Sequence, residues 1–296
     1  MRNERIIYLV IIVILLGVVA FKFFGEKKGE VNRLTSPNVV YTDFPEEPAI
    51  IKKSTAPAKK IPDVIENEYL LAVVIDDFGY ANSTFSLLET LDGPITMAVL
   101  PNLTYSKAAA LLAEKKDFEV ILHLPMQPTS DKAPLEKNTI MIGMLPVEIK
   151  DIIKNDLTSL SNVKGISNHM GSKATADMKI MNEIMAFAKK NNMFFLDSYT
   201  NKDTVCCSVA GPKGVSCYKR DIFIDNIADK DLIKEQFEKA VDLAKKKGSA
   251  IAIGHDKLLT IQVLAEEFPK LHKDNVRLVK VSELIDDNNM SKVNGA

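Results

Sequence analysis

Residues 72–80 read AVVIDDFGY, an apolar run that meets two adjacent carboxylates, Asp76 and Asp77, before a turn at Gly79. Successive side chains of a strand point to opposite faces, so a strand that continued through both would bury one carboxylate at a large energetic cost. The pattern therefore predicts that the strand ends at this pair. At a strand end both carboxylates can line a site, and a divalent cation there relieves their mutual repulsion.

The chain after Leu71 alternates short apolar runs with amphipathic segments. About eight strand-like runs are separated by mostly helical segments, which is the pattern of parallel βα units. An open doubly wound sheet and a (β/α) barrel both fit this alternation. Because no Gly-rich phosphate loop follows the first strand, the sequence favours an α/β fold built as a (β/α) barrel of parallel strands.

Acids and histidines end five of these runs, which read AVVIDD, EVILH, GISNH, FFLDS and AIAIGH. The carboxyl ends of parallel strands meet at one face, where we expect these side chains to converge. Two imidazoles and one carboxylate form a common ligand set for catalytic Zn²⁺. A lone histidine at a strand end is more often structural, so the metal hypothesis depends on the joint placement of these residues: Asp76, Asp77, His123, His169, Asp197 and His255.

Smaller polar residues near these ends have two interpretations each. Asp197 can orient a histidine or can cap a turn, and Asn168 and Ser172 can bind substrate or serve ordinary turn chemistry. His272, the fourth histidine, stands in a polar segment and is predicted to be a surface residue.

The composition excludes some classes of function. With 38 basic and 39 acidic side chains, no charge bias points to nucleic acid. Residues 6–21 form an apolar run that nearly spans a bilayer core. We favour a retained signal anchor over a cleaved signal peptide, with the domain outside the cytoplasm; cleavage would give a secreted protein. The predicted organisation is a membrane anchor over 1–24, a Pro- and Lys-containing flexible linker over 25–66, the globular domain over 67–288 and a disordered tail over 289–296.

Three cysteines lie close together in CCSVAGPKGVSC. In an oxidising compartment Cys217 can pair with Cys206 or Cys207, which leaves one free thiol. A site of three thiolates and a set of three reduced, buried residues are the other interpretations.

Six ordered motifs resemble those of the divergent polysaccharide deacetylase family, a branch of the carbohydrate deacetylase and glycoside hydrolase β/α-barrel superfamily. They are IDDFG, HLPMQP, SNHMGS, FLDSYT, RDIFIDN and AIAIGHD, and the resemblance covers residues 71–285. It implies a distorted (β/α) barrel with a bound divalent metal, zinc or another. By this resemblance Asp76 is the catalytic base, and Asp77 is a metal ligand.

The remaining roles also follow from the resemblance. His123 matches the first histidine of the superfamily's HxxxH motif, but Gln127 replaces the second, and His169 is the expected replacement ligand. His255 resembles the general acid, with Asp197 in the supporting position. The expected substrate-binding residues are Asn168, Ser172 and Gln127.

The predicted function is metal-dependent removal of acetyl groups from an envelope polysaccharide or a related carbohydrate. The alternative is a noncatalytic, metal-containing protein that binds carbohydrate or assists envelope assembly. The oligomeric state stays open.

Overall fold

The computed structural model describes residues 68–284. The predicted membrane anchor, linker and tail lie outside these residues. Among residues 68–284, no helix combines the length and the apolar character needed to cross a membrane.

The described residues form one sheet of parallel strands in the order β6-β5-β4-β3-β2-β1-β8-β7, with β9 added beside β1. The strands are β1 (Tyr69–Phe78), β2 (Thr96–Val99), β3 (Glu119–Met126), β4 (Val163–Met170), β5 (Phe194–Asp197), β6 (Cys217–Lys219), β7 (Ile222–Phe223), β8 (Ser249–His255) and β9 (Val276–Val279).

Helices connect most of the strands. They are α1 (Phe85–Leu88), α2 (Ser106–Lys116), α3 (Pro146–Leu157), α4 (Met178–Lys190), α5 (Cys206–Lys213), α6 (Lys230–Lys247) and α7 (Leu258–Glu267), with 3₁₀ turns at Ala174–Ala176 and Phe268–Asp274. Two of them have side-chain N-caps: the carboxylates of Asp177 and Asp229 each accept two backbone N–H groups in the first turns of α4 and α6. Capping satisfies donors that a helix start otherwise leaves open.

Strand β1 is apolar over most of its length because both of its faces are buried. Leu71, Val73 and Ile75 pack on one side into a core that includes residues of α2, α6 and α7. Ala72 and Val74 face the other side, with residues of β2, β3, β5 and β8. A strand covered on both faces reads as a continuous apolar run instead of an alternating one.

The sheet curls into a half-barrel, which confirms the predicted parallel strands and the distorted-barrel character. No pairing between β6 and β7 closes the ring of described strands. They are successive parts of one extended segment: the Arg220 N–H donates to the carbonyl of Asp197 on β5, and the Asp221 N–H donates to that of Ile251 on β8. The segment thus leaves the β5 edge and joins the β8 edge within two residues.

The cysteine segment folds as α5 and β6, joined by a disulfide between Cys207 and Cys217. Cys206 is buried and free. The three-thiolate metal site is therefore wrong, because two of its sulfurs are bonded to each other.

Candidate metal centre

A β-bulge positions the two carboxylates of β1. The register of β1 against β2 shifts between Ile75 and Phe78, so Asp76 and Asp77 together lie opposite the single residue Ala98. Asp77 has a φ of 68°, in the left-handed region that aspartate tolerates better than most residues. The prediction that the strand ends at the pair is wrong, because the bulge re-aims the carboxylates while pairing continues to Phe78.

Two histidines from β3 and β4 meet the Asp77 carboxylate. His169 Nδ1 lies 2.9 Å and His123 Nε2 lies 3.3 Å from Asp77 Oδ1. One donor atom from each of the three residues lies within 4.8 Å of the others. The other ring nitrogen of His123 is hydrogen-bonded to Ser167 Oγ at 2.8 Å, which fixes the ring with Nε2 facing the site.

The protonation of this cluster suits a divalent cation. Burial lowers the pKa of His123 to about 4, against the pull of the Asp77 carboxylate, so its imidazole is neutral near pH 7. Burial alone would raise the pKa of Asp77, but its hydrogen bonds with His123 and His169 outweigh burial and hold that pKa well below its ordinary range. A neutral imidazole and an ionised carboxylate are donor forms that Zn²⁺ requires.

Two buried polar atoms have no hydrogen-bond partner among the described residues at this site, Nε2 of His169 and Oδ1 of Asp76. Buried polar atoms are usually satisfied, so atoms of this kind are what a bound cation or its water would engage. The residues present therefore fit a metal.

Asp76 lies beside the cluster and is 4% exposed. Burial, followed by the charges of Asp77 and Asp225, raises the pKa of Asp76 well above its ordinary value, while the Arg220 guanidinium opposes the rise. That guanidinium donates to two backbone carbonyls just after β5, at 2.8 and 3.2 Å. Arg220 is thus a fixed positive charge that favours the ionised form of Asp76.

His255 closes the other side of the site. It is the register partner of Asp76 on the adjacent strand, and its Nε2 lies 3.8 Å from Asp77 Oδ2. Its Nδ1 is 2.9 Å from Asp225 Oδ1. Asp225 Oδ2 also accepts the His255 backbone N–H at 2.9 Å and the Thr260 hydroxyl at 2.7 Å. Burial would raise the pKa of Asp225, but the bonds from His255 outweigh it and lower that pKa, so the carboxylate is ionised.

Comparisons with known proteins identify the family of the chain. A family model described as divergent polysaccharide deacetylase matches residues 73–285. The chain belongs to this family. YibQ, an uncharacterized protein of Escherichia coli K12, is 39% identical over 217 residues, which are 73% of this chain and 67% of that protein. An uncharacterized protein of Haemophilus influenzae is 34% identical over 214 residues, 72% of this chain and 76% of that protein.

A solved structure supports the fold. The crystal structure of the uncharacterized protein ATU2773 from Agrobacterium tumefaciens C58 superposes with a TM-score of 0.71 at 16% identity. The match covers 75% of this chain and 92% of that one.

This member of the divergent polysaccharide deacetylase family places Asp225, not Asp197, beside the predicted general acid. Asp197 is the last residue of β5, and its carboxylate accepts the Tyr199 N–H at 2.8 Å and the Thr204 hydroxyl at 2.8 Å. The supporting role expected for Asp197 is wrong because β7, which leads to Asp225, is the strand beside β8. Asp225 follows the apolar run IFI, just as the other site residues follow apolar runs. A search for the first acid or histidine after each apolar run would therefore have found it.

The three residues expected to bind substrate each accept a backbone N–H through a side-chain oxygen. The fold places these oxygens in loop-supporting bonds, and their contact with substrate stays a prediction. The pairs are Asn168 with Ser198 at 3.0 Å, Ser172 with Thr129 at 2.8 Å and Gln127 with Ile142 at 2.8 Å.

Proposed function

We propose that this chain is a metal-dependent hydrolase that removes acetyl groups from a carbohydrate of the cell envelope. One observation carries the proposal: Asp76 and the His255–Asp225 pair flank the cluster of Asp77, His123 and His169. Membership in the divergent polysaccharide deacetylase family supports the reaction class.

Asp77, His123 and His169 would hold the metal, and this donor set favours zinc. When bound, a divalent cation supplies a Lewis acid for the acyl carbonyl and lowers the pKa of a bound water. Ser167 keeps the His123 ring oriented for this role.

The proton transfers belong to the flanking residues. Asp76 takes the proton from the attacking water as that oxygen bonds to the acyl carbon, and Arg220 stabilises the ionised carboxylate that this requires. As the bond from the acyl carbon to the sugar breaks, His255 Nε2 donates its proton to the leaving amine or alkoxide. Asp225 accepts from Nδ1 and thereby stabilises the imidazolium and orients its ring.

The location outside the cytoplasm is part of the proposal. A disulfide between Cys207 and Cys217 suits an oxidising compartment, since cytosolic thiols are kept reduced. The predicted anchor over residues 1–24 would hold the domain at the membrane, where envelope glycans are within reach.

The test combines metal analysis with acetate release on the purified full chain, using both N-acetylated and O-acetylated glycans. His169→Ala should lose metal and turnover together, whereas His255→Ala should keep the metal and lose turnover. His272→Ala is the matched control, because this exposed histidine lies outside the site and its side chain hydrogen-bonds the nearby Pro269 carbonyl.

The outcomes separate the candidate functions. Metal in the parent with acetate release that depends on His255 supports the hydrolase. Metal without release, under conditions that load the site, favours the noncatalytic carbohydrate-binding protein. A parent chain that takes up no divalent metal contradicts the proposed site.

A further inference from the structure

The exposed apolar side chains are concentrated on one face. Ten large apolar residues among residues 68–284 are exposed, and nine of them lie in connections that follow the carboxyl end of a strand or in the first turn of the next helix. We call these nine the apolar rim. One follows β1 (Tyr80), four lie between β3 and the first turn of α3 (Leu145 among them), one begins α4 (Met178), two lie after β7 (Ile227 among them) and one begins α7 (Leu258).

The rim lies at the same face of the sheet as the candidate metal centre. All strands are parallel, so these connections leave the sheet at the face where the aspartates and histidines converge. Hydrogen bonds between side chains join them: Tyr80 donates to Glu136 in the β3–α3 connection, and Thr84 donates to Asp256 just before α7. The connections after β1, β3 and β8 thus form one continuous border.

The tenth exposed apolar residue lies outside the rim. Leu111 stands in the middle of α2, away from the strand ends, and is 53% exposed. Scattered apolar residues are normal on a soluble surface, but a concentration on one face marks a contact with an apolar partner. Exposed lysines stand on two of the same connections: Lys132 and Lys173. Apolar side chains mixed with lysines suit a bilayer surface, where the long lysine stems reach the headgroups.

The chain outside the described residues supplies the second argument for a lipid partner. Residues 6–21 are the predicted membrane segment, and residues 25–66 form the predicted linker. A flexible linker of 42 residues has a root-mean-square span of about 35 Å and a fully extended length of about 140 Å. It enters the domain at β1, whose first residue, Tyr69, lies at the opposite end of the sheet from the rim. This length lets the domain turn its rim toward the bilayer.

We propose that the apolar rim docks on the membrane to which the chain is predicted to be anchored, so that the candidate metal centre faces the bilayer surface. Leu145 and Leu258, 61% and 51% exposed, enter the boundary between headgroups and acyl chains. The docking depends on the predicted membrane segment and not on the proposed reaction. It makes carbohydrate carried at the membrane surface the substrate pool nearest to the site.

The absence of tryptophan from the sequence allows a direct test. Leu145→Trp, Leu258→Trp and the control Leu111→Trp each give the full chain a single tryptophan reporter. Each variant is reconstituted in phosphatidylethanolamine–phosphatidylglycerol vesicles, with and without brominated acyl chains. We expect a blue-shifted emission that bromolipids quench for the two rim variants, and neither effect for Leu111→Trp. Circular dichroism checks that each variant is folded.

Three results would overturn the proposal. Rim variants that resemble Leu111→Trp in vesicles have no lipid contact at the rim. A blue shift without bromolipid quenching that grows with protein concentration assigns the rim to a second copy of the chain. A blue shift in dilute, lipid-free protein assigns it to another segment of the same chain. None of these readouts uses acetate release, so a failure here is distinct from a failure of the proposed hydrolase.

Discussion

Replacing Asp225 by asparagine tests the proposed proton donor most sharply. Asp225 Oδ2 accepts two donors, the His255 backbone N–H and the Thr260 hydroxyl, while Oδ1 faces His255 Nδ1. In the Asp225→Asn variant the single amide oxygen must stay at the Oδ2 position to satisfy those two donors. The amide NH₂ group then points at Nδ1, which can only accept. The imidazolium form of His255, which needs Nδ1 to donate, loses its partner.

The magnitude follows from the hydrogen bond that is lost. A hydrogen bond to a charged group contributes about 1.5–3 kcal/mol. At about 1.4 kcal/mol per pH unit, its loss corresponds to a displacement of the pH–rate profile by about one to two pH units. We therefore expect the basic limb of the pH–rate profile for acetate release to move to lower pH by that amount. At a pH above the parental limb the rate of the variant should be about 10- to 100-fold below that of the parent, because each pH unit of displacement is a factor of ten.

The assay is acetate release across pH 5 to 9, with metal content measured on the same samples. Metal content should be unchanged, because Asp225 lies outside the cluster of Asp77, His123 and His169. Asp221→Asn is the matched control, since Asp221 also accepts a β8 backbone N–H, from Ile251 at 3.0 Å, but lies before β7 and away from the site. A folded, metal-loaded Asp225→Asn variant with the parental pH profile would refute the role of the pair.

Three further predictions concern stability and metal binding. Burial raises the pKa of Asp156 to about 6, although its hydrogen bonds with Asn138 and Asn102 lower that pKa. Because the folded state favours the protonated form, the free energy of unfolding falls as pH rises from about 4 to about 6. Asp156→Asn should therefore raise the free energy of unfolding at pH 8 by about 3 kcal/mol and by much less at pH 4, and equal urea midpoints at pH 8 would contradict this. Cys207→Ser, which removes the disulfide, should lower the free energy of unfolding measured in urea by about 3 kcal/mol by the loop-entropy estimate. A reducing agent should no longer lower the stability of this variant, whereas it should still lower the stability of the Cys206→Ala control. Zn²⁺ at a hundredfold excess over its dissociation constant should stabilise the parent by about 2.7 kcal/mol; the resulting rise in melting temperature should disappear in His123→Ala and persist in His272→Ala, and a rise retained in His123→Ala would exclude that histidine as a ligand.

Much of the site follows from local sequence pattern. An apolar run identifies a buried strand, and the first acid or histidine after it marks the carboxyl end. Parallel strands bring such ends together whatever their spacing along the chain. The structure accordingly brings together Asp76, Asp77, His123, His169 and His255, which come from four different strands.

The sequence alone thus determined the parallel α/β architecture and the residue types that meet at one face, because both depend on patterns within single segments. Tertiary structure decided the contacts within that face. Asp225 instead of Asp197 supports His255 because β7 pairs with β8 across some thirty residues of chain. The bulge at Asp76 and Asp77 exists only in the pairing of β1 with β2. Each of these outcomes depends on long-range register and side-chain packing, which no local pattern encodes.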